Sequence, residues 1–317
     1  MTKAKVYMTD FRVPVGLSLP EKLKRLCRRA GMEKEIDFEG KYTAIKMHFG
    51  ELGNLASLRP QYVHALADLV KEAGGLPFLT DCNTLYPGSR KNALEHLECA
   101  ALNGYNPITT GCQVLIGDGL RGTDEVEVPV PGGEYIKKAK IGRAIMDADV
   151  FISLAHFKGH ESTGFGGAIK NIGMGCGSRA GKMEQHSSGK PVVDESLCRD
   201  CKRCAKECGS DAITVNLIVD VSPNCDCHGE NDAPILPNLG MFASFDPVAL
   251  DQACADACLA ASPLMNSQLS DHLAEKGWEN HQDHFLDSNP RVDWKTTLEH
   301  AEKIGLGTRD YELVVMK

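Results

Sequence analysis

Hydrophobic and polar positions alternate along the first 155 residues in a way that predicts strands and helices in turn. Short apolar runs predict buried strands, and apolar residues repeating every three or four positions predict helices between them. The predicted strands are 5–8, 42–47, 76–80, 114–117 and 150–154, and the predicted helices are 21–30, 60–73, 90–102 and 141–148. This alternation indicates an α/β fold with a mainly parallel sheet and helices on both faces.

The pattern changes after residue 155 and returns near the end of the chain. Residues 159–189 contain nine glycines among Lys, His and Ser, which predicts long ordered loops rather than regular elements. Asp246-Pro247 then opens a predicted helix over 248–259. A further helix is predicted near 294–304 and a last strand over 311–316. Residues 126–130 are predicted to form an antiparallel excursion from the main sheet.

Charge and hydropathy exclude several kinds of partner. The 317 residues include 35 Lys and Arg against 43 Asp and Glu, a net charge of −8, whereas nucleic-acid-binding surfaces need clustered cations. No apolar run approaches the roughly 18 residues that a membrane-spanning helix requires. The first residues also lack the apolar segment of a secretory signal. We therefore expect no nucleic-acid partner, no membrane partner and a cytoplasmic location.

Four of the 13 cysteines lie close together and give the strongest chemical signal in the chain. Cys198, Cys201, Cys204 and Cys208 have the spacing C-x2-C-x2-C-x3-C, which is the ferredoxin-type run for a [4Fe–4S] cluster. Thiols stay reduced in the cytoplasm, so a metal or cluster is favoured over disulfides. A zinc site normally uses two separate cysteine pairs. The run therefore predicts a [4Fe–4S] cluster.

The spacing leaves the fourth ligand of this cluster open. Cys208 is followed by Gly209, where the ferredoxin run has proline. In two-cluster ferredoxins the fourth cysteine of such a run ligates the other cluster. Either Cys208 closes the cluster itself or a remote thiolate does, in which case Cys225 or Cys227 is the nearest candidate and Cys176 follows.

Titratable residues follow four predicted strands at the point where each strand ends. These residues are His48, Asp81, Asp118 and His156. Ligands of open parallel sheets bind beyond the carboxyl ends of the strands, so these side chains predict a site for a divalent metal or a phosphate. The alternative interpretation of the two aspartates is that they are turn or N-cap residues.

Further candidates lie in and beside the glycine-rich segment. His156 and His160 are four residues apart with Lys158 between them, a spacing that could bind a metal on a helix, although the intervening glycine favours a loop. Lys170 and His186 lie among glycines whose backbone N–H groups can form nests for phosphate or carboxylate. With the four strand-end residues, these side chains are the candidate catalytic set.

Several longer motifs are distinctive when taken together. They are HFGE at 48–51, HFKGH at 156–160, GFGGAIKN at 164–171, GMGC at 173–176, Cys225-Asp226-Cys227 and SFDPVA at 244–249. With the four-cysteine run, they resemble the domain of unknown function 362 family of iron–sulfur centre proteins, over almost the whole chain. The resemblance implies an α/β domain interrupted by a ferredoxin-like insert, and it implies no known reaction.

The chain departs from that resemblance in one respect. Such proteins usually carry a second ferredoxin-type run before the Cys-Asp-Cys motif, whereas here residues 211–215 pass almost directly into 217–220. Either this chain has lost a second cluster or a segment near Asn216 is missing from the sequence. In the second case Cys208 would ligate the absent cluster.

These observations predict three regions and two rival functions. The regions are the first part of the α/β domain at 1–190, the cluster-binding insert at 191–216 and the second part of the α/β domain at 217–317. The first hypothesis is an electron-transfer or oxidoreductase protein whose cluster serves a site on the α/β domain, with a redox partner protein or a small anionic ligand. The alternative is a non-redox protein with a structural cluster, either a metal-dependent enzyme or a binder of an anionic ligand, with an additional divalent metal at the strand ends and Lys158 or Lys170 as the counter-charge.

Overall fold

The computed structural model describes residues 3–186 and 211–316, and the elements in those ranges alternate along the chain. The strands are β1 Ala4–Thr9, β2 Tyr42–Lys46, β3 Leu76–Asp81, β4 Gln113–Ile116, β5 Glu125–Pro129, β6 Lys138–Gly142, β7 Val150–His156, β8 Lys158–His160, β9 Gly164–Gly166, β10 Asp211–Ile218, β11 Gly240–Ser244 and β12 Tyr311–Val315. The helices are α1 Leu19–Ala30, α2 Met32–Glu35, α3 Pro60–Glu72, α4 Ala93–Leu102, α5 Pro107–Thr110, α6 Arg143–Met146, α7 Ala168–Gly173, α8 Arg179–His186, α9 Pro247–Leu259, α10 Gln268–Lys276, α11 His284–Ser288 and α12 Trp294–Lys303.

Eight strands form the central sheet in the order β12-β1-β11-β10-β7-β2-β3-β4. β11 is antiparallel to both of its neighbours, and every other neighbouring pair in this sheet is parallel. The α/β fold with a mainly parallel sheet is therefore confirmed. Two small antiparallel sheets, β5-β6 and β8-β9, complete the strands of the described residues. The first of them contains the predicted excursion at 126–130.

Helices cover both faces of the sheet, as the sequence predicts. α1 and α3 pack over one face, where Leu26 and Leu66 belong to the same buried cluster as Val215 of β10. α9 to α12 pack over the other face. Successive residues of one strand serve opposite cores, since Met241 belongs to the first and Phe242 to the second. This alternation is the strand period of two, and each fully buried apolar side chain contributes about 1.5–3 kcal/mol.

The prediction of loops over residues 159–189 is wrong for the part that the structure describes. That part contains β9, α7 and α8 and most of β8. The glycines provide close approach here rather than flexibility: a Cβ on Gly159 would lie 2.2 Å from the Pro223 carbonyl oxygen, and one on Gly167 would lie 2.3 Å from an Asp251 carboxylate oxygen. The helix predicted over 141–148 is also shorter than expected. Residues 138–142 form β6, which pairs with β5, so that only α6 at Arg143–Met146 is helical.

The domain boundaries depend partly on residues outside the described ranges. The four-cysteine run at 198–208 lies outside them, so the insert itself stays a prediction. Residues 211–216, which the sequence analysis assigned to the insert, instead belong to β10 of the central sheet. Asn216 lies within β10, whose register with β7 runs unbroken from 211 to 217, so the suspected break falls inside a strand. In the two described ranges, no helix combines the length and the apolar character needed to cross a membrane.

Candidate functional site

The carboxyl ends of β2, β3 and β7, together with β8, α7 and the loop at 219–228, surround a cavity of about 540 Å³. Seven of the eight candidate residues line it: His48, Asp81, His156, Lys158, His160, Lys170 and His186. We call Lys46, His48, Asp81 and His156 the strand-end wall. We call Glu161, Cys225, Asp226, Cys227 and His228 the loop wall. The parallel sheet thus places the strand-end residues at one edge, where α/β proteins bind ligands.

Asp81 on the strand-end wall is neutralised by buried cations. Its Oδ1 lies 3.1 Å from Lys46 Nζ and its Oδ2 lies 3.4 Å from Arg90 Nη1, and all three side chains are almost fully buried. Burial alone would raise the pKa of Asp81, but nearby groups, Lys46 foremost and Arg90 among them, hold it well below its usual range. Arg90 also lies 3.4 Å from Glu51. These ion pairs neutralise the Asp81 carboxylate, whose negative charge a metal at the strand ends would need.

Asn171 ties the ends of β2 and β7 together. Its Oδ1 accepts from Lys46 Nζ at 2.7 Å, and its Nδ2 donates to the Lys46 carbonyl at 3.0 Å and to Ser153 Oγ at 2.8 Å. The backbone N–H groups of Ala168 and Ile169 donate to the Asp251 carboxylate, which fixes the start of α7. Asp251 on α9 therefore positions the helix that carries Asn171.

Asp226 joins the two walls through a histidine and a lysine. Its carboxylate lies 3.0 Å from His156 Nδ1 and 3.0 Å from Lys158 Nζ. His156 Nε2 donates to the Val219 carbonyl at 2.7 Å, so both ring nitrogens face acceptors. Burial would raise the pKa of Asp226, but His156 and Lys158 lower it well below its usual range. The predicted candidates His156 and Lys158 thus hold the loop wall in place.

Two cavity histidines have defined tautomers. His160 Nδ1 accepts from the backbone N–H groups of Ser162 at 3.0 Å and Thr163 at 3.1 Å, and His48 Nδ1 accepts from that of Gly50 at 3.0 Å. Each ring therefore carries its proton on Nε2 and can act as a donor. Burial and the nearby Arg90 lower the pKa of His48 well below its usual value, which favours its neutral form.

Cys225 is the most polarised sulfur among the described residues. Lys170 Nζ donates to its Sγ at 3.0 Å, and His160 also hydrogen-bonds to it. A hydrogen bond from Cys227 lowers the pKa of Cys225 well below its usual value, and Lys170 and His160 add to this against the effect of burial. The same contact and burial raise the pKa of Cys227. Lys170, His160 and Cys227 therefore all direct donors at the Cys225 sulfur.

Positive charge and N–H donors collect on one side of the cavity. Lys170 and Lys182 contact Cys225 and backbone carbonyls, respectively, and neither has a carboxylate partner within the ranges 3–186 and 211–316. Burial, with Lys170, His160 and Lys182 nearby, lowers the pKa of His186. Two lysines beside two imidazoles make this side suited to a carboxylate or a phosphate group.

Asp118 lies apart from the other candidates. Its Oδ1 accepts from the backbone N–H and the Nδ2 of Asn83, both at 2.9 Å, and it does not line the cavity. Burial raises the pKa of Asp118. Its hydrogen bonds hold together the loops that follow β3 and β4, in keeping with the alternative interpretation as a turn residue.

Metal-binding geometry occurs on the loop wall rather than at the strand ends. In the described part of the chain, the group whose ligand atoms lie within 4.8 Å of one another is Glu161, Cys227 and His228. Cys176, a possible remote cluster ligand in the sequence analysis, is buried beside Cys82 and Ile145 away from the loop wall. The cluster cysteines Cys198, Cys201, Cys204 and Cys208 lie outside the described residues.

Sequence reasoning missed several residues of this site. Five residues outside the candidate set either contact a predicted candidate or line the same cavity: Lys46, Arg90, Glu161, Asp226 and Asp251. The run Cys225-Asp226-Cys227-His228 concentrates three metal-binding side chain types in four residues, and this signal could have marked the loop wall. No comparable local signal marks Lys46 or Asp251, because their partners are more than 30 residues away.

Comparison with known proteins places the chain in a family whose activity is not defined. Residues 43–256 match the family described as "Domain of unknown function (DUF362)", and the chain belongs to that family. A 124-residue stretch is 32% identical to the thylakoid-associated protein sll1697 of Synechocystis sp.. This match covers 37% of the chain and 32% of that relative, so the chain spans about a third of the relative's length.

Two solved structures share a distant likeness with the chain. One is the lactate racemase apoprotein from Thermoanaerobacterium thermosaccharolyticum, with 15% identity and a TM-score of 0.41, covering 68% of this chain and 51% of that one. The other is a protein from Thermotoga maritima, with 13% identity and a TM-score of 0.44, covering 78% of this chain and 60% of that one.

Proposed function

We propose that this member of the family is an iron–sulfur redox protein. In this proposal the run Cys198, Cys201, Cys204 and Cys208 holds a [4Fe–4S] cluster, with Cys225 or Cys227 as the alternative fourth ligand. When bound, the cluster supplies single electrons. The site that it serves is the cavity at the strand ends, and the molecule bound there is a small anion.

The observation that carries the proposal is the convergence of the predicted residues on one cavity. Residues chosen from separate points of the sequence line the same space, and Lys170 and Lys182 contribute positive charge there that no described carboxylate neutralises. A carboxylate or phosphate group would accept hydrogen bonds from these lysines and from the Nε2–H group of His48. His156 and Lys158 are held by Asp226 and set the position of the loop wall.

The cluster rests on the spacing of its cysteines and on the chemistry of the nearby thiols. Cys225 and Cys227 are free thiols in the structure, so either could act as a remote ligand. The Cys225 sulfur already accepts a hydrogen bond from Lys170 Nζ at 3.0 Å, which a bound iron would have to displace. Within this proposal Cys208 is the simpler fourth ligand because it needs no rearrangement of the loop wall.

The first test is to determine iron and acid-labile sulfide in protein purified without oxygen. We expect about four of each per chain and an EPR signal from the reduced cluster that disappears on reoxidation. Cys201→Ala should lose both, whereas Cys258→Ala, a matched removal of a buried thiol outside the run, should keep them. A wild-type chain that contains zinc and no sulfide would overturn the proposal.

The second test asks whether the cluster serves the cavity. The cluster's reduction potential is measured by EPR with and without inorganic phosphate or succinate as the anionic probe. An anion that binds the oxidised protein tenfold more tightly than the reduced protein lowers the potential by about 59 mV. The shift should disappear in Lys170→Gln with Lys182→Gln, while the iron content is unchanged.

The alternative function is a non-redox protein that binds an anion and keeps the cluster for structure. The extensive ion pairing of the cavity favours it, because Asp81 and Asp226 are held in fixed positions by buried cations. In that case the affinity for phosphate or succinate would be the same with the cluster oxidised and reduced. Equal affinities in the two states, with both probes bound, would select this alternative.

A further inference from the structure

The loop wall contains a group of metal-ligating side chains that the proposed electron transfer does not need when Cys208 is the fourth cluster ligand. Cys227 and His228 follow the buried Cys225 and Asp226, and Glu161 lies in the turn between β8 and β9. The ligand atoms of Glu161, Cys227 and His228 all lie within 4.8 Å of one another. Glu161 Oε1 and His228 Nε2 are 3.3 Å apart.

We propose that Glu161, Cys227 and His228 form a binding site for a divalent ion of the zinc class. One thiolate, one imidazole and one carboxylate are the ligand types of four-coordinate zinc. Tetrahedral zinc with bonds of 2.0–2.3 Å separates its ligand atoms by about 3.3–3.8 Å, which matches the distance between Glu161 and His228. The side chains of Glu161 and His228 are 37% and 40% exposed, so they can close the remaining gap to Cys227 without disturbing the core.

The surroundings of Glu161 and His228 orient them for this role. Glu161 Oε2 accepts from the backbone N–H of Cys225 at 3.3 Å, which leaves Oε1 directed at His228. His228 Nδ1 lies 3.9 Å from the exposed carboxylate of Glu230, beyond hydrogen-bond distance, so the contact with Glu161 is the one that orients the His228 ring.

The fourth position of the site opens toward the cavity. Glu161 and Cys227 both line the cavity, and the neighbouring Cys225 sulfur is already engaged by Lys170 at 3.0 Å. Three protein ligands with one open position are typical of a zinc site that binds a further ligand rather than a purely structural one. An anion held by Lys170 and Lys182 would lie beside that position. This metal site is separate from the cluster and does not require it.

The test is zinc binding to the full-length protein purified anaerobically with its iron retained. Calorimetry with Zn²⁺ should give one equivalent of tight binding after loosely held metal is removed. X-ray absorption at the zinc edge should give a single sulfur at about 2.3 Å with nitrogen or oxygen ligands. Cys227→Ser should remove the sulfur signal, and Glu161→Gln and His228→Gln should each weaken binding at least tenfold.

Controls and contrary results separate this site from the cluster. His64→Gln and Cys99→Ser, matched changes elsewhere on the chain, should bind zinc as the wild type does. Four sulfur neighbours would place the zinc in the 198–208 run and overturn the site. The absence of stoichiometric binding, a sulfur signal that persists in Cys227→Ser, or loss of iron from Cys227→Ser would overturn it too. Iron and sulfide measured on the same samples report on the cluster independently.

Discussion

The strand-end wall and the loop wall border the same cavity but differ in how their charges are used. On the strand-end wall, Asp81 is buried and paired with Lys46 and Arg90. On the loop wall, Asp226 is equally buried, but Glu161 and His228 are partly exposed, and Cys225 and Cys227 are free thiols. A fully paired buried charge has little capacity to bind a ligand without disrupting the fold. The first wall therefore mainly supports the site, and the second offers most of its reactive groups.

Removing the central carboxylate of the strand-end wall should have the largest effect on stability. Asp81→Ala leaves Lys46 and Arg90 buried without their common partner, and we expect a loss of about 3–5 kcal/mol in the free energy of unfolding. Urea unfolding monitored by circular dichroism measures this. Asp37→Ala, at an exposed carboxylate, should change stability by less than about 0.5 kcal/mol. A loss below about 1 kcal/mol for Asp81→Ala would contradict the supporting role of this wall.

Asp251 holds α7, whose Asn171 and Lys170 contact the strand-end wall and the loop wall. Its contribution to the free energy of unfolding should depend on pH. Burial raises the pKa of Asp251 to about 6, and its hydrogen bonds with Ile169, Asn216 and Ala168 oppose a larger rise. Because the folded pKa exceeds the unfolded value of 3.8, this group's contribution to stability is complete below pH 4 and is lost as pH rises through 6. The change is on the order of 3 kcal/mol.

Urea unfolding of the wild type and of Asp251→Asn at about pH 4.5 and about pH 7.5 tests this dependence. The difference in unfolding free energy between the two proteins should shift in favour of the variant as pH rises. Asp271→Asn, at an exposed position of α10, should keep the pH dependence of the wild type. Parallel pH profiles for wild type and Asp251→Asn would mean that Asp251 does not titrate in this way.

Gly159 in β8 packs closely against the loop at 219–228, which carries most of the loop wall. A Cβ at this position would lie 2.2 Å from the Pro223 carbonyl oxygen, and the Gly159 N–H donates to Ser222 at 2.8 Å. Gly159→Ala should therefore cost about 1–3 kcal/mol and weaken zinc binding by displacing the loop wall. In Gly173→Ala the new Cβ meets nothing within 4 Å, so this control should be neutral or slightly stabilising. Equal stabilities for the two variants would argue against close packing of β8 against the loop at 219–228.

Lys170 should affect ligand binding far more than stability. Its side chain is partly exposed and its contact is with Cys225 rather than a carboxylate, so Lys170→Gln should change the unfolding free energy by less than about 1 kcal/mol. The loss of one charge-assisted hydrogen bond should weaken phosphate binding at least about tenfold, as measured by calorimetry. Lys91→Gln, at an exposed lysine, is the control. Unchanged phosphate affinity would remove Lys170 from the anion site.

The strand-end part of the site was predictable, whereas the loop part carried a sequence signal only in its clustered Cys, Asp and His residues and not in its contacts. His48, Asp81 and His156 follow predicted parallel strands, and the carboxyl ends of such strands meet at one edge of the sheet. Glu161 and Cys225 are 64 residues apart in sequence, and their contact requires the loop at 219–228 to close over β8. The prediction of loops over 159–186 is wrong because close backbone approach and chain flexibility both favour a glycine-rich composition.

The sequence by itself determined the alternation of strands and helices in the first 155 residues, the mainly parallel sheet and the edge that carries the polar residues. Those features depend on periodicity and on caps such as Asp246, whose carboxylate accepts from Val248 and Ala249 within one turn. Only the tertiary structure decided that Asp81 forms ion pairs with Lys46 and Arg90, whereas Cys225 contacts Lys170. The reason is physical: a cap finds its partner a few residues away, whereas a buried charge takes whichever counter-charge the folded chain brings to within about 4 Å.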